Sequence, residues 1–103
     1  MEKLVRDNMP EIAKTPMTHR IASRQEMDSF LANKLVEESQ EVAKELEKRY
    51  GDGLIEELAD VMQVIKTIKY FAGITDEQIE DTRIAKELHR GGFLNGVIWD
   101  GNK

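Results

Sequence analysis

Residues 31–68 read LANKLVEESQEVAKELEKRYGDGLIEELADVMQVIKTI. Two stretches with apolar residues at helical spacing flank Gly51-Asp52-Gly53, a cluster that breaks helices. In the first, Met27 (just upstream), Leu31, Leu35 and Val42 form a stripe, and Glu38 falls inside it. In the second, Leu54, Val61, Val64 and Ile68 form a stripe, and Glu57 falls inside it. Each of these acids is followed three residues later by another on the same helix face, Glu41 and Asp60. The short glycine turn makes the two helices antiparallel neighbours, so the fold class is all-α. An ionised carboxylate in an apolar stripe is costly unless something compensates it. Converging carboxylates also repel one another. A hard divalent cation is the simplest compensation, so the sequence predicts Mg²⁺, with Mn²⁺ as a substitute, between the helices.

The rest of the chain extends this bundle. Residues 1–22 contain both prolines, Pro10 and Pro16, and read as an irregular arm with a short helical turn near Val5 to Lys14. Ser23-Arg-Gln-Glu26 is a capping box that starts the first long helix, expected to run to Arg49 or Tyr50. The second spans Leu54 to Ala72 and stops at Gly73. Thr75-Asp-Glu-Gln78 caps a third, ending near Arg90 before Gly91-Gly92. Phe93 to Trp99 reads as an extended tail. On the second long helix, Leu58, Ala59 and Met62 widen the face formed by Val61, Val64, Ile65, Ile68 and Phe71. One partner helix cannot cover that width. Either the third helix covers the rest, or dimerisation completes a four-helix core.

Composition narrows the class. With 103 residues, one domain over 1–103 is expected. Charged residues make up 34% and apolar ones 40%, as in a soluble helical protein. There is no cysteine, which excludes a thiolate metal site and fits a reducing compartment. The first residues carry charge throughout, and no apolar run is long enough for a bilayer, so a cytoplasmic protein with no membrane partner is expected. Net charge is −5 and uneven. Residues 37–60 hold nine acids against three bases, giving −6, while the remainder holds eleven against twelve, giving +1. This argues against direct nucleic-acid binding, which needs a basic surface. Within the acidic run, Glu45 and Glu47 are expected on a solvated face.

The donor set distinguishes metals. Di-iron carboxylate bundles use Glu-x-x-His pairs, but His19 and His89 follow Pro16 and Lys86 at that spacing. An oxygen-only set favours Mg²⁺ or Mn²⁺ over zinc or iron. Glu37-Glu38-x-x-Glu41, fifteen intervening residues, then Glu57-x-x-Asp60 resembles the signature of MazG-like nucleotide pyrophosphohydrolases, all-α NTP pyrophosphatases related to phosphoribosyl-ATP pyrophosphohydrolase and dimeric dUTPases. Lys3-Leu-Val-Arg-Asp7-Asn-Met-Pro10 resembles the opening of small members, and Arg90-Gly-Gly-Phe93 their closing segment.

The resemblance implies Mg²⁺-dependent hydrolysis of a nucleoside triphosphate between its α- and β-phosphates, giving nucleoside monophosphate and pyrophosphate. Glu38, Glu41, Glu57 and Asp60 are implied metal ligands, and Glu38 is thereby part of the catalytic centre. Glu37 lies roughly 100° around the helix from Glu38. It is assigned to orienting water, to general-base work, or to an ion pair with Lys34. Lys3, Arg6, Lys34, Lys86 and Arg90 are candidates to meet the substrate phosphates. A homodimer or dimer of dimers is expected, with house-cleaning of nucleotide pools as the role. Competing readings are phosphoribosyl-ATP hydrolysis in histidine biosynthesis and a non-catalytic acidic interaction module.

Overall fold

A computed structural model describes residues 2–101. It contains four helices and, among the described residues, no strand: α1 (Met9–Ile12), α2 (Arg24–Glu47), α3 (Leu54–Ala72) and α4 (Asp76–Arg90). They fall into two compact units, Met1–Ile68 and Lys69–Lys103.

In the first unit, α1 is a single turn opened by Pro10, shorter than the Val5–Lys14 expectation. Helix α2 starts on the expected reciprocal cap: the Glu26 N–H donates to Ser23 Oγ at 3.3 Å, and the Ser23 N–H donates to Glu26 Oε1 at 2.9 Å. It ends at Glu47, two or three residues before the expected break. Arg49 and Tyr50 adopt left-handed backbone at φ 56° and 64°. Each non-glycine residue there costs about 1–2 kcal/mol, and neither residue type announces it. Helix α3 starts at Leu54 as expected, with the Glu57 N–H donating to the Gly53 carbonyl at 3.0 Å. Among the described residues, Leu31 on α2 and Val64 on α3 are the buried apolar residues of this unit, and Glu38 is buried with them. A second face of α3, formed by Ile55, Leu58, Met62 and Ile65 at 3-4-3 spacing, remains exposed.

The second unit begins in the last turn of α3. Gly73, at φ 68°, ends that helix in a Schellman arrangement: the Ile74 N–H donates to the Lys69 carbonyl and the Gly73 N–H to the Tyr70 carbonyl. The Lys69 ammonium pairs with Asp76 across the turn. Thr75 and Gln78 cap α4 reciprocally, as read from the sequence. The tail opens with a turn closed by the Gly96 N–H on the Phe93 carbonyl (3.2 Å), where continuous extended backbone was expected. Its Phe93, Leu94, Val97, Ile98 and Trp99 are exposed.

Candidate metal centre on the α2–α3 helix pair

Glu38 on α2 and Glu57 and Asp60 on α3 each offer a carboxylate oxygen, and these oxygens lie within 4.8 Å of one another. The arrangement follows from local structure. Glu38 is the buried member of the α2 stripe, and the tight turn at 48–53 brings the start of α3 back alongside it. Glu57 and Asp60, three residues apart on α3, then face it together. Glu41, the fourth predicted ligand, sits outside this triad, with its carboxylate 3.2 Å from Lys44 Nζ.

Cations surround two members of the triad. Lys34 Nζ, itself largely buried, lies 3.2 Å from Glu38 and 3.3 Å from Glu37. Arg6 Nη2 donates to Asp60 Oδ1 at 2.6 Å. Lys3 donates to Glu37 Oε1 at 3.4 Å. Three of the five predicted phosphate-binding cations therefore rest on the acidic centre or its neighbour. Lys86 and Arg90 lie on α4 in the second unit. There Lys86 lines an open groove with Ile74, Gln78, Ile79, Thr82 and Arg83, and Arg90 occupies the last helical turn.

Electrostatics separate the carboxylates. Burial raises the Glu57 pKa from its ordinary value, and Asp60, Glu38, Glu41 and Glu45 raise it further. Partial burial acts in the same upward direction on Glu37, but Lys34 and Lys3 outweigh it and hold that carboxyl below its ordinary value. Of the roles open to Glu37, the ion pair with Lys34 is the one present. A carboxylate held anionic in this way is a weaker general base.

Glu45 corrects the sequence reading. It was expected in water, yet its side chain is only 14% exposed. Its carboxylate packs over the glycine turn, with Oε1 2.7 Å from where a Gly53 Cβ would stand and Oε2 2.9 Å from a Gly51 Cβ. The signal was available: Glu38, Glu41 and Glu45 stand at i, i+3 and i+7, one continuous helix face. Among the described residues, neither histidine joins the acidic group: His19 Nδ1 lies 3.3 Å from the Met17 carbonyl, and His89 is exposed in the last turn of α4.

These residues fit a hard divalent cation. The donors are all oxygen, one is buried, and the anionic form of Glu57 is disfavoured by burial first and then by its anionic neighbours, whose repulsion a cation would reverse. A divalent cation held by such donors would suit chemistry on phosphate groups, whose oxygen charge it neutralises. Residues 25–90, more than half of the chain, match the MazG nucleotide pyrophosphohydrolase domain. The chain belongs to this family and is a hydrolase acting on nucleotide phosphoric anhydrides. Comparison with curated proteins and with solved structures returned no match. Both acidic pairs, Lys34, Lys86 and Arg90 fall inside the matched segment, while Lys3 and Arg6 precede it.

Proposed function

We propose that the chain cleaves a nucleoside triphosphate between the α- and β-phosphates in a Mg²⁺-dependent reaction, yielding nucleoside monophosphate and pyrophosphate. The observation that carries this reading is the convergence of Glu38, Glu57 and Asp60 oxygens within 4.8 Å, inside the segment that matches the family. Glu38, Glu57 and Asp60 would hold the ion, with Glu41 one turn away as a fourth donor. When bound, Mg²⁺ supplies charge neutralisation at the phosphate oxygens and acidifies a water. Glu37, kept anionic by Lys34 and Lys3, orients the attacking water by accepting its hydrogen bond. With Asp60 and Glu38 serving as metal ligands, Arg6 and Lys34 would turn from them to the phosphate oxygens, and Lys3, beside Glu37, would meet the phosphates from the arm.

The same reading takes residues 1–103 as one catalytic domain, working in the cytoplasm on the nucleotide pool as a homodimer or dimer of dimers. The exposed Ile55, Leu58, Met62 and Ile65 face supports self-association. Among the described residues, no helix is long and apolar enough to cross a membrane. The test is a panel of ordinary nucleoside triphosphates, modified ones and phosphoribosyl-ATP with Mg²⁺, scored for pyrophosphate. Release of orthophosphate with nucleoside diphosphate would overturn α–β cleavage. Full turnover in excess chelator would overturn the metal's role. Exclusive turnover of phosphoribosyl-ATP would select that substrate instead.

A further inference from the structure

Arg20 belongs to no motif in the sequence and lies far from the acidic triad along the chain, yet its guanidinium makes four hydrogen bonds to two carboxylates. Its Nε donates to Glu2 Oε2 at 2.7 Å and its Nη2 to Glu2 Oε1 at 3.2 Å. Its Nη1 donates to Glu26 Oε1 at 2.6 Å and its Nη2 to Glu26 Oε2 at 3.1 Å. The guanidinium also lies over the Phe30 ring, 5.8 Å from its centre. One planar fork thus holds two carboxylates, each through two hydrogen bonds, a geometry only arginine offers. Glu26 is simultaneously the residue that closes the α2 capping box on Ser23, so its side chain is fixed from both sides. Glu2, by contrast, has no helix to hold it. Arg20 ties the residue immediately before Lys3 to the rigid start of α2. From that anchor the chain delivers Lys3 to Glu37 and Arg6 to Asp60.

We infer that Arg20 is a positioning residue that clamps the N-terminal arm through Glu2 and so holds Lys3 and Arg6 over the carboxylate centre, where they meet the phosphates of the nucleotide. This rests on the proposed function for the word nucleotide, but the clamp itself does not. Exposed ion pairs are weak singly, and the Lys3, Arg6 and Glu2 pairs are all exposed; the Glu2 pair differs in being bidentate and part of a network with Glu26, the geometry in which such pairs do contribute. The Arg20 fork raises the local concentration of both cations at the site. Its removal should therefore weaken nucleotide binding without weakening metal binding. Arg6 competes with the metal for Asp60, while Lys3 pairs with Glu37 outside the triad, so an arm set free leaves the metal site at least as available.

The experiment uses the full chain and three variants: Arg20→Gln, Arg20→Lys and Glu2→Gln. Glu2→Gln releases the arm while leaving the Arg20–Glu26 pair and the α2 cap intact, which controls for folding. In ¹H–¹⁵N NOE measurements without metal or nucleotide, residues 3–6 should be rigid in the wild type and mobile in both Gln variants, with Arg20→Lys restoring order only in part. With the proposed reaction as readout, both Gln variants should raise the nucleotide KM about tenfold, the loss of roughly one charge-assisted contact. Their Mn²⁺ affinity without nucleotide, measured by calorimetry, should be equal to or tighter than wild type. Unchanged order of residues 3–6 in both Gln variants overturns the clamp. A parallel fall in Mn²⁺ and nucleotide affinity overturns positioning in favour of plain structural damage. Released arms with an unchanged KM overturn the link to substrate. A wild type that turns over no nucleotide overturns the proposed function alone, because the NOE result still decides the clamp.

Discussion

Glu38, buried on α2, and Glu57, in the first turns of α3, present carboxylate oxygens within 4.8 Å of each other, with Asp60 completing the group. Lys34 partners Glu38 and Arg6 partners Asp60. Glu57 instead carries the upward pKa shift, from burial first and then from Asp60, Glu38, Glu41 and Glu45. Glu57→Gln removes that repulsion at nearly constant size. Without metal, the variant should melt at or above the wild-type temperature. Mg²⁺ should stabilise the wild type by about 2.7 kcal/mol at 100-fold excess over Kd and should leave the variant almost unmoved. Sodium at matched ionic strength should not substitute, because screening is not coordination. Thermal melts with and without Mg²⁺ decide it: an equal Mg²⁺ response in the two proteins means Glu57 is not a ligand.

The sign of the Glu57 shift gives a second, independent consequence. A raised folded-state pKa means the folded protein holds this proton more tightly than the unfolded chain does. Mild acidification through the folded pKa, down to the ordinary carboxylate value, should therefore favour the metal-free fold. In Mg²⁺ the same acidification should disfavour it, since protons displace the metal. Glu26 runs the opposite way. The Arg20 hydrogen bonds first, then the Ser23 backbone N–H, lower its pKa to about 2. Its contribution is complete above the unfolded value of 4.5 and is lost as pH falls from there to about 2. Glu26→Gln should flatten acid unfolding in that lower window and leave the metal-dependent crossover in place. A Glu26→Gln acid limb identical to wild type would show that the cap charge contributes nothing.

Arg6 supplies a test of exchange between carboxylate and phosphate. Arg6→Gln frees Asp60 from its 2.6 Å partner. Mn²⁺ binding without nucleotide should strengthen by a few-fold, while the nucleotide KM rises about tenfold. Calorimetry and steady-state kinetics on the same preparation separate the two effects. Weaker Mn²⁺ binding in this variant would mean that Arg6 supports the metal site and does not compete with it.

Local signals were legible and distant ones were not. The Ser23 and Thr75 capping boxes, the Leu54 start and the Gly73 stop are each written in a few adjacent residues, and the structure follows them. The Glu38, Glu57 and Asp60 grouping was legible because two helical faces and one short turn suffice to bring them together. The early end of α2 was hidden, because Arg49 and Tyr50 in left-handed backbone have no compositional mark. The partners Lys3–Glu37 and Arg6–Asp60 are separated by 34 and 54 positions, so no periodicity relates them. Glu45 differs for another reason: the sequence reading groups it with Glu47 on a solvated face, although it continues the Glu38–Glu41 face.

That difference makes Glu45 and Gly53 a test pair. A Cβ at Gly53 would stand 2.7 Å from Glu45 Oε1, so Gly53→Ala must swing that carboxylate aside. The atom displaced is the end of a flexible side chain, which limits the cost to about 1 kcal/mol. In a Glu45→Ala background the obstacle is gone, and Gly53→Ala should be neutral or slightly stabilising through the unfolded state. A double-mutant cycle by urea unfolding reads the coupling directly. Additive effects would place Glu45 away from the turn. Glu45→Gln should also lower the Glu57 pKa toward its ordinary value, since Glu45 is one of the charges that raise it.

The exposed face of α3 predicts assembly. Ile55 is 81% exposed, Met62 69%, Leu58 46% and Ile65 40%, while Leu31 and Val64 are the buried apolar residues among those described. Apolar residues at 3-4-3 spacing on one helix match a seam that packs against a second helix. A second copy offering the same face would bury both stripes around a two-fold axis, giving an isologous contact. Each fully buried side chain of this size contributes about 1.5–3 kcal/mol, enough in sum to hold a dimer at micromolar concentration. Leu58→Glu/Met62→Glu places two charges in the seam and leaves Glu38, Glu57 and Asp60 untouched. Light scattering should report at least a dimer for the wild type and a monomer for the double variant. The wild-type melting temperature should rise with protein concentration and that of the variant should not, because only an associating fold gains stability by mass action. A wild type that scatters as a monomer at micromolar concentration, with a concentration-independent melt, would overturn this use of the α3 face.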